Sequence, residues 1–187
     1  MNKTFKEFVT EAKTAKAEIE RYTDLSRPLT RELYKHHAEG TQIPDEFEGH
    51  SIPALDAITK KSKLTKSIIV HTGVRHDPST IADKDGHIHN PAFMSTSDVY
   101  SVAHKFATRQ ARRKDTEGHI EPAHVISIEL KAGQHAVDIS SKSKESHEKE
   151  RLLPRNTKIK LNPVPDIKTD STGRLVHHWS AHVVSQD

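Results

Sequence analysis

Hydrophobic positions follow two regimes along the chain. Phe5, Phe8, Val9, Ala12, Ala15, Ile19 and Tyr22 recur near helical spacing, which predicts an amphipathic docking helix from Met1 to about Tyr22. Ser26-Arg27-Pro28 reads as a cap-like start with proline in the first turn, so a second helix is expected over Arg27 to Ala38, stopped by Gly40. Thr41 to Ser51 is polar and holds Pro44 and Gly49, the pattern of a loop. Pro53 to Lys61 carries Ala54, Leu55 and Ile58 and predicts a short helix.

Beyond that point the period changes. The β-branched run Ser67 to His71 predicts a buried strand. Thr72 to Asn90, rich in Gly, Asp, Pro and His, predicts one long loop of the kind that is functional or disordered. Pro91 to Met94 leads into Ser95-Thr96-Ser97-Asp98, and a helix follows with Val99, Val102, Ala103, Phe106 and Ala107 on one face. Further strands are expected at Ala123–Leu130, Gln134–Ile139, Arg151–Leu153, Thr157–Leu161 and Leu175–Val184, with a polar loop over Ser140 to His147. Helices first, then strands interrupted by one helix, is an α+β order and not a repeating βαβ unit. It divides the chain into a helical lobe over residues 12–62 and a β-rich core over residues 63–187. No glycine-rich dinucleotide fingerprint and no phosphate loop is present.

Composition narrows the field. The chain has 187 residues, of which 33% are apolar, so the core is modest beside the ~45–50% usual in globular chains. No stretch approaches the ~18 apolar residues of a membrane span. The N-terminus is charged and amphipathic, so no secretory signal peptide is expected. There is no cysteine, which excludes disulfides, a thiolate zinc site and a cysteine nucleophile, and fits an intracellular setting. A net charge of +3 is too small to argue for nucleic acid. The basic cluster Arg109, Arg112, Arg113 and Lys114 reads as the cationic end of a helix, with docking to an acidic protein or nucleic acid as the sharper alternative. His87-x-His89 and His177-His178 invite a metal, but adjacent strand residues point to opposite faces and no third ligand is evident, so none is expected.

Three separated pieces carry chemistry. The first is Ile69 to Arg75, a strand running into a turn. The second is Phe93-Met94-Ser95-Thr96-Ser97, then Ala103 and Phe106-Ala107. The third is Glu148-Lys149-Glu150-Arg151-Leu152-Leu153-Pro154-Arg155. Glu148 and Glu150 sit two apart at the start of an apparent strand, so period two places both carboxylates on one side. Facing one cleft, such a pair divides labour, one stabilising a cation and the other positioning or deprotonating a nucleophile. Alone, Glu-x-Glu also fits a solvated strand edge. Ser97 or Asp98 suits the N-cap of the following helix. Ser95, at the end of the preceding strand, is free to hold a carboxylate.

In order and spacing these pieces resemble the arginine-specific mono-ADP-ribosyltransferases, the Arg-Ser-Glu class, over about Ile68 to Leu161. The third block is similar to that family's Glu-x-Glu-hydrophobic-Leu-Pro-Arg-Gly-Thr. The resemblance implies two packed β-sheets forming an NAD cleft, with a helical lobe on the N-terminal side. It implies NAD+ as substrate, Glu150 stabilising the ribosyl cation, Ser95 holding Glu150, and Glu148 receiving the acceptor arginine. His71, Thr72, Gly73, Thr96 and Ser97 would line the cofactor pocket. One departure stands out: Thr72 occupies the place where the family carries its first-motif arginine. Arg75, three residues on, is the expected substitute on the pyrophosphate.

The opening MNKTFKEFVTEAK resembles the capsid-targeting segments of internal proteins in tailed phages. Val9-Thr10-Glu11 matches a maturation cleavage pattern that would remove residues 1–11. The combined expectation is a phage enzyme, similar to the Alt and Mod proteins, packaged in the virion head and then acting in the host cytoplasm. Host RNA polymerase or translation proteins are its expected targets by analogy. An NAD+ glycohydrolase and a non-catalytic binding module of the same fold are the competing expectations.

Overall fold

A computed structural model describes residues 5–111, 121–142 and 146–186. The element order is α1 (Phe5–Glu39), a π-helical turn (Phe47–Ser51), α2 (Ile52–Lys61), β1 (Ile68–Val74), β2 (His87–Asn90), β3 (Met94–Ser97) and α3 (Tyr100–Gln110). Then come β4 (Ala123–Leu130), β5 (Val137–Asp138), β6 (Glu150–Leu153), β7 (Thr157–Leu161), β8 (Asp166–Thr169) and β9 (Leu175–Gln186). The α+β class is as expected.

The two helices expected on either side of Ser26 are one helix that runs through Pro28. A proline inside a helix costs about 3 kcal/mol. Against it stands one unbroken apolar stripe: Ile19, Tyr22, Leu29 and Leu33 are buried and Leu25 packs beside them. Each such side chain contributes about 1.5–3 kcal/mol on burial, so the stripe outweighs the break. It packs on Leu55 of α2, on Phe93, and on Ile139 and Leu152 from the strand region. The expected loop before α2 is helical from Phe47 to Ser51, and Phe47, Ser51 and Ile52 are buried there.

The strands form one hydrogen-bonded path, β2-β7-β9-β4-β1-β3-β6-β5, with β8 added to β9. Neighbours are antiparallel except β4 with β9, which run parallel from Ala123 opposite Val176 to Glu129 opposite His182. Where two packed sheets are expected, a single pair, His71 opposite Ser97, joins β1 to β3. On one side lie β1, β4, β9, β7, β2 and β8; on the other, β3, β6 and β5.

Three strand expectations change. The run at Ile68 is not uniformly buried: Val70 is sealed while Ile69 is 59% exposed. The expected loop over Thr72 to Asn90 loses both ends, because β1 continues to Val74 and β2 begins at His87. The strand expected over Gln134 to Ile139 shrinks to Val137–Asp138. Strand β8 is unforeseen, being exposed throughout and so lacking a hydrophobic signature.

Helix α3 lies against the sheet on its smallest residues. Ala103, Ala107 and Ala111 recur every four residues and are buried with Ala123, Val125 and Val176. That stripe lets the helix backbone approach β1 at Gly73. A Cβ at Gly73 would meet the Ala103 carbonyl oxygen at 2.3 Å and the Ala107 nitrogen at 2.6 Å. Both are backbone atoms, which cannot swing aside. Gly73→Ala is therefore expected to cost about 3 kcal/mol of folding free energy, the upper end for overpacking. Denaturant unfolding of the variant against the parent checks this; an unchanged midpoint would show that α3 can shift freely.

Candidate active site

The cleft opens where β1 and β3 part, beside α3. It encloses about 190 Å³ and is lined by His71, Thr72, Gly73, Ser95, Thr96, Ser97, Glu148 and Glu150, with Val102, Ala103 and Phe106 from α3. Eight of the nine expected site residues thus converge. The ninth does not. Arg75 lies one residue past the end of β1, exposed, and lines neither this cleft nor the cavity beside it.

Glu150 is the first residue of β6, half-buried. Burial raises its carboxyl above the usual glutamate range; the Ser95 hydrogen bond works against that rise and the nearby Glu148 charge adds to it. Ser95 is in turn 3.1 Å from the Tyr22 hydroxyl. If the Ser95 proton goes to the carboxylate, Tyr22 donates to the Ser95 oxygen, giving a relay from α1 to Glu150. Tyr22 is buried, and burial pushes its phenol far up, so it remains a donor. In the sequence pattern Tyr22 counts only as helix-face apolar surface.

Glu148 is not on the strand. It ends a helical turn, Ser146–Glu148, and Lys149 follows at φ 44° before β6 begins. Strand alternation therefore does not bring the two carboxylates together; the left-handed residue between them does. The loop is pinned from β3. The Ser97 hydroxyl donates to the Glu148 carbonyl at 2.5 Å and accepts the Val99 N–H at 2.9 Å. The Asp98 N–H donates to the Lys149 carbonyl at 3.1 Å, and Arg151 reaches the Asp98 carboxylate at 2.6 Å.

Thr96 and Ser97, expected on the cofactor, have another task. Thr96 donates its hydroxyl to the Arg151 carbonyl at 2.9 Å, so both side-chain protons hold backbone rather than ligand. Ser97 serves the helix start from two residues before it, Val99 being the cap residue. Thr72 donates to the Ser95 carbonyl at 3.2 Å, and His71 Nδ1 lies 2.9 Å from the Ser127 hydroxyl. Burial lowers the His71 imidazole from its ordinary range, against the opposing pull of Asp98. Val102 and Phe106, expected in the core face of α3, line the cleft instead.

The third motif is anchored at its far end. Arg155 holds Asp56 of α2 in a two-pronged pair, Nε to Oδ1 at 3.0 Å and Nη2 to Oδ2 at 2.9 Å. Asn156, where the family pattern has glycine, stands at φ 61°, a conformation that asparagine tolerates better than most residues.

A second, larger cavity of about 480 Å³ adjoins the cleft beneath α1 and shares Thr72 and Ser95 with it. Arg27 and Arg31, one helical turn apart, both line it. These are the guanidinium groups the site otherwise lacks. Their position in the middle of α1 hides them from motif reading. Of the basic cluster, Arg109 lies in the last turn of α3, and Arg112, Arg113 and Lys114 fall outside the described residues. No helix among the described residues is long and apolar enough to cross a membrane.

A family model described as ADP-ribosyltransferase exoenzyme matches residues 2–180, and the chain belongs to that family. Among solved structures it is similar to Plx2a, an ADP-ribosyltransferase toxin from Paenibacillus larvae, with TM-score 0.68, 21% identity, and coverage of 96% of this chain and 92% of that one. It is also similar to C3stau2 from S. aureus with NAD (TM-score 0.65, 17% identity, 93% and 88% covered). A third similar structure is the Clostridium limosum C3 exoenzyme (TM-score 0.63, 16% identity, 92% and 85% covered). At these identities the likeness is one of fold. A search of curated sequences found no match.

The raised Glu150 carboxyl makes a stability prediction. The folded state keeps that proton at a pH where the unfolded chain, near its ordinary 4.5, has lost it. The contribution to stability is full below the unfolded value and is lost as pH rises through the folded one. Glu150→Gln is therefore expected to raise the Tm at pH 7, with the gap closing near pH 4. A variant that melts lower than the parent at pH 7 would show that the ionised carboxylate is well satisfied.

Proposed function

We propose that the chain transfers ADP-ribose from NAD+ to arginine side chains of host proteins. One observation carries the reading: two carboxylates share the cleft from different supports. Glu150 is half-buried on a strand and braced by Ser95, which Tyr22 holds in turn; Glu148 sits on a loop turn beside it.

Glu150 suits the bond-breaking step. Its carboxylate would accept the hydrogen bond of the ribose 2′-hydroxyl and offset the positive charge that grows on the ribose. The glycosidic electron pair would leave on nicotinamide. Glu148 suits capture. It would draw in the acceptor guanidinium, whose nitrogen forms the new bond to the ribose carbon, and take the proton that nitrogen releases. A carboxylate pairs with guanidinium in a forked geometry, which favours arginine over a neutral amide acceptor. Arg27 and Arg31 would hold the pyrophosphate, in place of Arg75. Glu150 must be ionised to act, so activity should fall on the acid side through its raised value.

With labelled NAD+, purified protein and a bacterial lysate, label is expected on lysate proteins, at arginine by mass spectrometry. Glu148→Gln should reduce that transfer by about 100-fold or more while leaving NAD+ hydrolysis nearly intact, and Glu150→Gln should abolish both. Equal loss of both activities in the Glu148 variant would defeat the division of roles. Free nicotinamide without labelled protein would identify a glycohydrolase. Neither product from folded protein would favour a binding module. Arg27→Ala and Arg31→Ala should each raise the KM for NAD+ about tenfold, with Arg75→Ala unchanged. The reverse result would restore Arg75.

Delivery inside a phage head is supported by the resemblance of MNKTFKEFVTEAK to capsid-targeting segments and by the cleavage pattern Val9-Thr10-Glu11. The buried contacts of α1 begin at Ile19 among the described side chains, so a cut after Glu11 would leave them in place. Virions carrying the protein with Met1 intact would rule the cut out.

A further inference from the structure

Away from the cleft, three side chains from three elements meet at the far end of β1. Asp77 starts the short turn Pro78–Thr80 that follows β1, His124 lies in β4 opposite Val74, and His177 lies in β9 opposite His124. One ligand atom from each falls within 4.8 Å of the others. The two rings meet edge to face, centroids 4.9 Å apart. His124 is buried, and His177 Nδ1 is buried with no hydrogen-bond partner. An unpartnered buried ring nitrogen is a cost that proteins rarely leave unmet. Asp77 is already aimed: its Oδ1 accepts the Ser79 N–H at 2.9 Å and the Ser79 hydroxyl at 2.6 Å. Such outer contacts are how proteins orient metal ligands.

We propose that Asp77, His124 and His177 bind a divalent transition metal of the zinc class. Two imidazoles and one carboxylate suit zinc, cobalt or nickel, whereas magnesium and calcium take oxygen donors. Water would complete the shell, with exposed His76 within electrostatic reach of His124. The adjacent pair His177-His178 is a misleading signal in the sequence. Only His177 takes part; His178 stacks on Tyr100 at 5.1 Å. Strand register supplies His124 as the partner of His177, and the turn after β1 supplies Asp77.

The ion would be structural. It would fasten the turn after β1 to β4 and β9, behind the residues His71 to Gly73 that line the cleft. The other candidate group, Asp83, Asp85 and His87, is more exposed, and Asp83 Oδ1 already accepts the N–H groups of Asp85 and His87. It serves as the control.

Trp179, the one tryptophan, gives a direct probe: its indole N–H donates to His124 Nδ1 at 3.4 Å, and because a neutral imidazole offers one lone pair, metal ligation by His124 must displace that bond. Untagged, metal-stripped full-length protein would be titrated with Zn2+ by calorimetry and with Co2+ by visible absorption and Trp179 fluorescence. One equivalent is expected to bind, to change the Trp179 emission, and to raise the Tm by about 5–10 °C at a hundredfold excess over Kd. His177→Gln and Asp77→Asn should each weaken binding about tenfold or more while leaving the metal-free Tm and circular dichroism near the parent's. His87→Ala should bind as the parent does. Absence of saturable binding, unchanged affinity in both site variants, or loss in the His87 variant instead would overturn the proposal. These readouts are independent of transferase activity.

Discussion

One cross-strand pair, His71 with Ser97, holds the two halves of the sheet together, and the cleft exists because the pairing stops there. Had the ladder continued, the Ser95 carbonyl would face a backbone partner on β1. It takes the Thr72 hydroxyl instead. The Ser95 carbonyl thus keeps a partner where the strands part, and the opening admits Ser95 and Glu150 to the same hollow. Thr72 thus braces the strand junction at the position where the family pattern carries an arginine. The same corner of β3 then grips the loop before β6, through the Ser97 hydroxyl and the Asp98 N–H.

The rest of the site is built around one half-buried acid. Glu150 needs a donor to remain useful as a carboxylate, and Ser95 is positioned by Tyr22, more than seventy residues away in the chain. That contact explains why the apolar stripe of α1 must stay in phase through Pro28. A helix that broke at Ser26 would leave Tyr22 and the arginines of the next turns on separately mobile pieces. Unbroken, α1 sets Tyr22 against Ser95 and lines the adjoining cavity with Tyr22, Arg27 and Arg31.

Much of the fold is legible in the sequence, for physical reasons that also explain the gaps. Thr157 to Leu161 alternates buried and less buried positions, so its strand is plain. β8 buries nothing and leaves no trace. Pro28 speaks for a break because local chemistry is visible in a sequence and tertiary packing is not. At the site, the motifs bring out Ser95, Glu148 and Glu150, which do share one cleft. They fail where a role depends on convergence from afar. Tyr22, Arg27 and Arg31 look like ordinary helix residues, and Phe106 looks like core until α3 is seen resting on Ala103 and Ala107. Arg75 is close to the first motif in sequence, yet the end of β1 turns it outward.

The single left-handed residue Lys149 separates the two carboxylates mechanically as well as conformationally. Glu150 belongs to the strand and shares its rigidity. Glu148 belongs to a turn held by one torsion and by hydrogen bonds from the Ser97 hydroxyl and the Asp98 N–H. Changes in that turn can re-aim or replace Glu148 while Glu150 stays fixed on its strand. Under the proposed division of roles the two functions are separable under mutation, and a lineage with this architecture could change its acceptor while keeping the group that cleaves the donor.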